Sequence, residues 1–210
     1  LTPIQLSIDR IREKYLNKKD GTDNNLYDYL NTITKQIKDI EHLVNEFSDF
    51  ARMPKPILKK ISLNKLISRS VTLIEQSESN INFNFLKDKS SININGDEEQ
   101  LNRVFINLIK NSAESIAEKK LKNKDFKGKI EIDINEDSDY IYVTIVDNGV
   151  GFTNIDKSKM ITPYFTTKAK GTGLGLAIVM KIISDHNSTI FFKSTKDGAK
   201  VEITMLKYYA

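Results

Sequence analysis

The first quarter of the chain contains two stretches in which apolar residues recur at helical spacing. In residues 1–16 they follow one another at intervals of three and four, which predicts an amphipathic helix. A second stretch, residues 26–51, repeats this alternation as a heptad seam. The seam consists of Leu26, Leu30, Ile33, Ile37, Ile40, Val44, Phe47 and Ala51. A glycine-containing turn at 17–21 separates the two helices, and Pro54 and Pro56 end the second one.

Such a helical hairpin has an apolar stripe too large for one hairpin to bury. Pairing two copies into a four-helix bundle would bury it, so we predict a homodimer formed through the heptad helices. The alternative is a hairpin that packs on the remainder of its own chain. The predicted organisation is a dimerisation hairpin at 1–53, a linker at 54–61 and a second domain at 62–210.

The pattern changes after the prolines to helices mixed with strands of alternating polarity. Helices are predicted at 62–77, with Ser62 as the N-cap, at 97–118 and at 173–186. Strands are predicted at 81–86, 92–94, 130–134, 140–146, 189–194 and 199–205. Asp197-Gly198 is interpreted as a hairpin turn. These elements predict an α+β chain whose second domain is a two-layer α/β sandwich with one mixed or antiparallel sheet.

Composition excludes several classes of protein. The chain has no cysteine, so disulfides and thiolate metal sites are excluded. Its net charge of +4 comes from lysines scattered among acids, and we predict no nucleic-acid binding. It contains no apolar run long enough to cross a bilayer and does not open with a signal peptide. We expect it to be a fragment of a longer protein.

The first chemical motif is Asn107-Leu108-Ile109-Lys110-Asn111-Ser112-Ala113-Glu114. Asn107 and Asn111 are four residues apart, so both amides would project from one face of the long helix. Amide oxygens suit a hard cation such as Mg²⁺ that shares its shell with water and phosphates. The alternative is a pair of asparagines that face solvent.

The second motif, Asp147-Asn148-Gly149-Val150-Gly151, directly follows a predicted strand. A carboxylate at a strand end can accept a hydrogen bond from an exocyclic amine such as that of adenine. Gly149 and Gly151 would let the backbone approach a flat ring. The alternative is an ordinary turn, because Asn-Gly is a common turn dipeptide. Residues 147–172 show no periodicity, and a loop of this length is usually functional.

The third motif, Gly171-Thr172-Gly173-Leu174-Gly175-Leu176, opens an apolar helix. Backbone N–H groups at such a helix start can bind an anion. No Lys-Ser/Thr pair follows the glycines, so the motif is not a Walker A loop. The third glycine of a dinucleotide-binding fingerprint would fall on Leu176, which excludes that motif too. The alternative is a helix start with flexible glycines.

Taken together, the three motifs resemble the N box and the two glycine boxes of the histidine-kinase ATPase family, called GHKL. The wider group includes type II topoisomerases, MutL and heat-shock chaperones. Pro163-Tyr164-Phe165-Thr166-Thr167-Lys168 resembles the family's F box in the ATP lid. The resemblance covers about residues 55–207 and implies a Bergerat-type sandwich that uses ATP and Mg²⁺.

The resemblance also implies a role for each site residue. Asp147 would hold adenine, Gly149 and Gly151 would shape its pocket, and Asn107 with Asn111 would hold Mg²⁺. Asn107 and Lys168 would take part in the transfer step. The remaining nucleotide-binding residues implied by the resemblance are Thr166, Thr167, Lys170, Gly171, Thr172, Gly173, Leu174, Gly175 and Leu176.

The N-terminal helices also resemble a particular branch of that family. Residues 1–7 resemble the segment just after the phosphoacceptor histidine of histidine kinases, and residues 47–56 resemble NtrY-type nitrogen-regulation sensor kinases. The resemblance implies transfer of the ATP γ-phosphoryl to a bundle histidine and then to a response-regulator aspartate. It also implies a cytoplasmic location, with membrane contact only through segments absent from this chain.

The phosphoacceptor histidine of that family has no counterpart in this sequence. The chain has two histidines, His42 and His186, and neither has the family's acceptor context. We interpret His42 as a surface position of the bundle and His186 as a cation at a helix C-terminus. The expectation is a chain that binds Mg-ATP without autophosphorylating.

Two other functions stay open at this point. Hydrolysing relatives place a glutamate base where this chain has Asn107, and an amide cannot accept a proton from water, so transfer is favoured over hydrolysis. A non-catalytic dimer that only docks a response regulator is the second alternative. An anti-sigma serine kinase is disfavoured, because such proteins lack the preceding heptad hairpin.

Overall fold

The computed structural model describes residues 2–16, 24–85, 92–152, 162, 164–166 and 171–208 of the chain. They belong to two compact units, Leu1–Met53 and Pro54–Ala210. The first is helical and the second mixes helices with a sheet, which confirms the predicted fold class. Of the helices described, none combines the length and the apolar character that a membrane span requires.

The first unit consists of the two predicted helices, α1 (Thr2–Leu16) and α2 (Asn24–Ala51). Its interior is small and contains Ile8, Leu30 and Ile37. Other apolar residues of the α2 seam lie at the surface and are 46–52% exposed. These exposed seam residues are Ile33, Ile40, Val44 and Phe47. The hairpin therefore buries Leu30 and Ile37 of its seam and leaves these four residues exposed.

The second unit is a two-layer sandwich of helices on a sheet. The helices are α3 (Leu63–Ser77), α4 (Glu98–Lys122) and α5 (Gly175–Asp185). The strands are β1 (Lys59–Ser62), β2 (Ile81–Phe85), β3 (Asn93–Gly96), β4 (Gly128–Glu136), β5 (Tyr140–Asp147), β6 (Thr189–Ser194) and β7 (Ala199–Leu206). The five-stranded sheet has the order β2-β4-β5-β7-β6. Only β2 and β4 pair in parallel among these neighbours, so the sheet is mixed.

The core lies between α4 and one face of the sheet. Alternate residues of β5 are buried, among them Ile141, Val143 and Ile145. Helix α4 lies against β4 and β5 and buries its own apolar residues, among them Leu101 and Phe105. Helix α4 packs against α3, α5, β4 and β5. It therefore packs against more elements of the unit than α3 or α5 does.

Three local details differ from the sequence analysis. Residues 59–62 form a strand, β1, that pairs antiparallel with β3, although the pattern indicated only a linker. Ser62 occupies the N-cap position of α3 as predicted, but its side chain makes no capping hydrogen bond. Instead, the N–H of Leu63 donates to the carbonyl of Ile92. The β6–β7 connection is Thr195–Gly198, longer than a turn of Asp197-Gly198 alone.

Candidate functional site

The first and second motifs meet at Ser112, one residue beyond Asn111 on α4. Asp147 ends β5, and its carboxylate accepts a hydrogen bond from the Ser112 hydroxyl. Both side chains are buried, at 4% and 5% exposure. Asn107 and Asn111 are half-buried on the same helix. Ser112 belongs to the first motif but had no predicted role, and its position directly after Asn111 is the sequence signal that could have indicated one.

Burial has the largest effect on the pKa of the Asp147 carboxyl. It raises the pKa of the carboxyl above its ordinary value, against the opposing effects of the Gly149 N–H, the Ser112 hydroxyl, the Ala199 N–H and the charge of Lys119. The Gly149 N–H donates to Oδ1 at 2.9 Å. An ionised carboxylate offers about four acceptor sites, so these donors leave capacity for one more. A further donor from a ligand would stabilise the charged form.

The glycines of the second motif are packed against the protein's own backbone. A Cβ on Gly149 would lie 2.6 Å from the carbonyl carbon of Ser115. Gly151 has a φ of 70°, and a Cβ there would lie 2.6 Å from the carbonyl oxygen of Gly198. The Val150 N–H donates to the Ser115 carbonyl at 3.3 Å. The turn after β5 is therefore held between α4 and the β6–β7 connection.

The third motif contacts the aromatic segment that precedes it. Gly173 has a φ of 70°, and a Cβ there would lie 2.7 Å from the Cα of Tyr164. The Tyr164 N–H donates to the Gly173 carbonyl at 3.1 Å. The Leu174 N–H donates to the Thr172 hydroxyl at 3.3 Å. Leu174 is fully buried, so this residue serves as an apolar anchor for the glycine-rich segment.

The third motif also lies close to the first. A Cβ on Gly175 would lie 3.0 Å from Oδ1 of Asn107, so this amide oxygen lies beside the start of α5. Nδ2 of Asn107 donates to the Arg103 carbonyl at 2.8 Å. That bond orients the amide and leaves its oxygen on the side of Gly175. Leu174, at the N-cap position of α5, makes no side-chain capping hydrogen bond.

Not every predicted residue can be placed. Thr167, Lys168 and Lys170 lie outside the described residues. Thr166 and Gly171 are described and exposed. Thr172 and Leu176 are half-buried. Within the described parts of the chain, no group of three or more His, Cys, Asp and Glu side chains is arranged to hold a metal ion.

His186 lies at the C-terminal end of α5, as predicted, and its ring is hydrogen-bonded inside the fold. It follows α5, and its Nε2 accepts a hydrogen bond from the Asp97 N–H at 3.0 Å. Nδ1 lies 2.8 Å from the Ile182 carbonyl, which can only accept a hydrogen bond, so Nδ1 is the donor in this contact. The ring therefore connects the end of α5 to the start of α4.

Comparisons with known proteins identify the family of this chain. Residues 96–208 match the family model described as "Histidine kinase-, DNA gyrase B-, and HSP90-like ATPase". Nitrogen regulation protein NtrY of Azorhizobium caulinodans is 33% identical over 94% of this chain. A putative sensor histidine kinase, NtrY-like, of Rickettsia felis is 34% identical over 97% of it. The chain spans 25% and 33% of the lengths of these two relatives.

Solved structures show the same fold. The nucleotide-free catalytic domain of the histidine kinase ThkA is 29% identical, with a TM-score of 0.62 over 71% of this chain and 95% of that one. ThkA in complex with the response regulator TrrA has a TM-score of 0.71 at 24% identity, over 98% of this chain and 58% of that one. The match of the family model to more than half of the sequence, together with the joined motifs around α4, shows that the chain belongs to the histidine kinase-, DNA gyrase B- and HSP90-like ATPase family.

Proposed function

We propose that the second unit binds Mg-ATP and supplies its γ-phosphoryl group to a histidine, as the catalytic part of a sensor histidine kinase. The supporting observation is that α4 touches both ends of the site. Asn107 lies beside Gly175, while Ser115 lies against Gly149. At a rise of 1.5 Å per residue these two α4 positions are about 12 Å apart along the helix axis. A nucleotide along α4 would place its base near Asp147 and its phosphates near Asn107.

At the base end, Asp147 would accept a hydrogen bond from the exocyclic amine of adenine. Guanine presents a carbonyl oxygen at the corresponding ring position, and an oxygen facing a buried carboxylate is repelled. Gly149 and Gly151 would shape the pocket by letting the turn pack closely against α4 and the β6–β7 connection. The site should therefore prefer ATP over GTP.

At the phosphate end, the residues fit a magnesium ion that is shared with the nucleotide. Asn107 has its amide nitrogen occupied and its oxygen beside α5, and Asn111 is one helical turn further along. Two neutral oxygens without a carboxylate cluster suit an ion that draws most of its shell from phosphates and water. When bound, the ion would supply positive charge at the phosphate oxygens.

The amides of the α5 start, at Gly171 to Leu176, would contribute further positive potential at the phosphates. Lys168 and Lys170 would add charge, and Thr166 and Thr167 would add hydroxyl donors. Positioning and electrostatics of this kind are the main contributions of a protein to phosphoryl transfer.

The recipient would be a histidine rather than water. Asn107 cannot act as a general base, which favours transfer over hydrolysis. His186 has both ring nitrogens engaged and is not available as an acceptor. His42 lacks the family's acceptor context, so we propose that the acceptor is a bundle histidine that this sequence does not contain, which passes the phosphoryl group to a response-regulator aspartate. The ThkA–TrrA complex supports such a partner.

The first unit would dimerise through the exposed part of its seam. Ile33, Ile40 and Val44 are each about half exposed, and their burial would stabilise an association by about 25 cal/mol per Å² of apolar surface. Analytical ultracentrifugation should show a dimer for the parent chain and a monomer for Ile40→Glu. Lys38→Glu, an exposed change on the same helix, should stay dimeric. A monomeric parent would refute this part of the proposal.

Calorimetric titration tests the nucleotide site directly. The chain should bind a non-hydrolysable ATP analogue more tightly with Mg²⁺ than with EDTA, and bind the GTP analogue weakly. Asn111→Ala should remove most of the Mg²⁺ effect, whereas Lys122→Met, an exposed change on the same helix, should not. Absence of nucleotide binding would favour the non-catalytic docking module, and steady ATP hydrolysis would favour the hydrolysing relatives.

Phosphoryl transfer needs a separate assay. The chain extended by its native upstream residues should become labelled from γ-labelled ATP, with a label that is lost in acid and retained in base. Without that extension, the chain that starts at Leu1 should not be labelled. Acid-stable label would contradict a phosphohistidine.

A further inference from the structure

Lys119 has an unusual environment for a lysine near the end of a helix. It lies on α4, and its Nζ is within hydrogen-bonding distance of three backbone carbonyls. The oxygens are those of Asn148 at 2.7 Å, Gly149 at 3.0 Å and Asp197 at 2.6 Å. The centroid of the Phe126 ring lies 4.8 Å from Nζ. An ammonium group has three N–H donors, so these three bonds use all of them.

The carbonyls come from the two turns that enclose the base end of the proposed site. Asn148 and Gly149 follow β5, and Asp197 lies in the β6–β7 connection. These turns also touch directly, because a Cβ on Gly198 would lie 2.8 Å from the Cα of Asn148. Lys119 therefore joins three segments that are distant in sequence: α4, the turn after β5, and the β6–β7 connection.

The bonds also fix the orientation of individual peptide groups. In the Asn148–Gly149 peptide, the carbonyl accepts from Lys119 and the N–H donates to Asp147 Oδ1 at 2.9 Å. In the Gly149–Val150 peptide, the carbonyl accepts from Lys119 and the N–H donates to the Ser115 carbonyl. Because each peptide is planar, holding its oxygen also directs its N–H. Loss of the Lys119 bonds would free the N–H that orients the Asp147 carboxylate.

We propose that Lys119 is a positioning residue that presets the purine-recognising turn, orienting Asp147 for adenine through the Asn148–Gly149 peptide. This inference rests on the proposed nucleotide-binding function. The charge of Lys119 also favours the ionised form of Asp147 against the effect of burial on its pKa, which is the form that can accept from an amine. A compact ammonium suits three convergent carbonyls, whereas the planar guanidinium of arginine does not reproduce that geometry.

The test is the affinity of Lys119→Met for ATP, ADP and AMP, each measured by calorimetry at one pH. Methionine keeps the length and apolar stem of the side chain but removes the donors. All three affinities should fall by a similar factor, because the change acts on the adenine base that the three nucleotides share. The factor should be on the order of tenfold, because charge-assisted hydrogen bonds are strong. Lys122→Met is the matched control and should bind as the parent does.

A second measurement separates positioning from general stabilisation. Amide hydrogen exchange should accelerate at Gly149 and Val150 in Lys119→Met, while the amides of β4 and β5 keep the protection of the parent. Accelerated exchange throughout the unit would show a merely structural role and would overturn the proposal. So would a loss of affinity confined to ATP, which would place Lys119 at the phosphates.

Lys119→Arg covers the case in which the methionine variant fails to fold. It keeps the charge and should fold, yet bind all three nucleotides more weakly than the parent. Affinity equal to the parent's would show that charge alone matters and would overturn the proposal. If the parent chain binds no adenine nucleotide, the proposed function itself fails, whereas a binding parent with an unaffected Lys119→Met refutes only the role of Lys119.

Discussion

The backbone of Gly149 lies directly against the turn of α4 that contains Ser115. A Cβ on Gly149 would lie 2.6 Å from the Ser115 carbonyl carbon and 2.8 Å from the Ile116 nitrogen. Both atoms belong to helix backbone, which cannot move aside as the end of a side chain can. The glycine is therefore required by contact within the protein, whatever ligand the turn also contacts.

Gly149→Ala should push the turn after β5 away from α4. We expect it to lower the free energy of unfolding by about 1–3 kcal/mol, as overpacking does, and to weaken ATP binding. Denaturant unfolding and calorimetric titration measure the two effects. Gly96→Ala is the control, because its Cβ would meet the end of the Leu101 side chain, and its nucleotide affinity should not change. A Gly149→Ala protein as stable as the parent would contradict the packing argument.

Acidification should weaken nucleotide binding through Asp147. Burial raises the pKa of this carboxyl, so it becomes protonated at a pH above the ordinary value for aspartate. The neutral carboxyl cannot accept as well from an amine, and the affinity for ATP should fall as the pH falls through the raised pKa. Calorimetry across a pH series measures this change. Asp147→Asn should bind ATP weakly, and its affinity should not fall further as the pH is lowered.

Folding stability should respond to the same group in the opposite direction. A raised folded-state pKa means that the contribution of Asp147 to stability is present below its unfolded pKa and is lost as pH rises through its folded pKa. The unfolding free energy of Asp147→Asn relative to the parent should therefore increase as pH rises across that window. A difference that is constant with pH would refute the raised pKa.

Gly175→Ala should disturb the metal end of the site without harming the fold. The added Cβ would lie 3.0 Å from Asn107 Oδ1, and that oxygen would have to shift. Alanine has a higher helix propensity than glycine by up to about 1 kcal/mol, so the unfolding free energy should not fall. Titrations of ATP with Mg²⁺ and with EDTA should show a loss confined to the Mg²⁺ condition. Equal losses in both would argue against a metal role for Asn107.

Asp97→Ala should destabilise the second unit by about 0.5–2 kcal/mol at neutral pH, the usual effect of removing an N-cap. Its carboxylate accepts from the N–H groups of Ile57, Glu99 and Gln100 at 2.9–3.1 Å. Burial alone would raise its pKa, but these bonds and His186 together lower it. The stabilisation by the Asp97 carboxylate is present at pH values above its pKa in the unfolded chain. It is lost as the pH falls through its pKa in the folded protein.

The difference between parent and Asp97→Ala in chemical denaturation should accordingly shrink on acidification. Asp97→Asn retains a capping acceptor and should lose less stability. ATP affinity should be unchanged in both variants, because Asp97 caps the end of α4 remote from the Asp147 turn. An equally large effect of both substitutions would show that the cap is not the cause.

Much of this architecture could be predicted because it depends on local periodicity. The seam of α2 and the alternation of β5 come from residues close together in the chain, and the structure has both elements where they were predicted. The short strand β1 could not be predicted in the same way. Its four residues, Lys59–Ser62, have no pattern of their own and become a strand only by pairing with β3.

The sequence by itself determined the helices, most strands and the three motifs, because each depends on neighbours in the chain and on the chemistry of single side chains. Only the tertiary structure decided that β2 runs parallel to β4, that Ser112 reaches Asp147, and that Lys119 bonds to the turn whose Gly149 packs against α4. Those relationships join segments far apart in sequence. They depend on packing distances that no local pattern encodes.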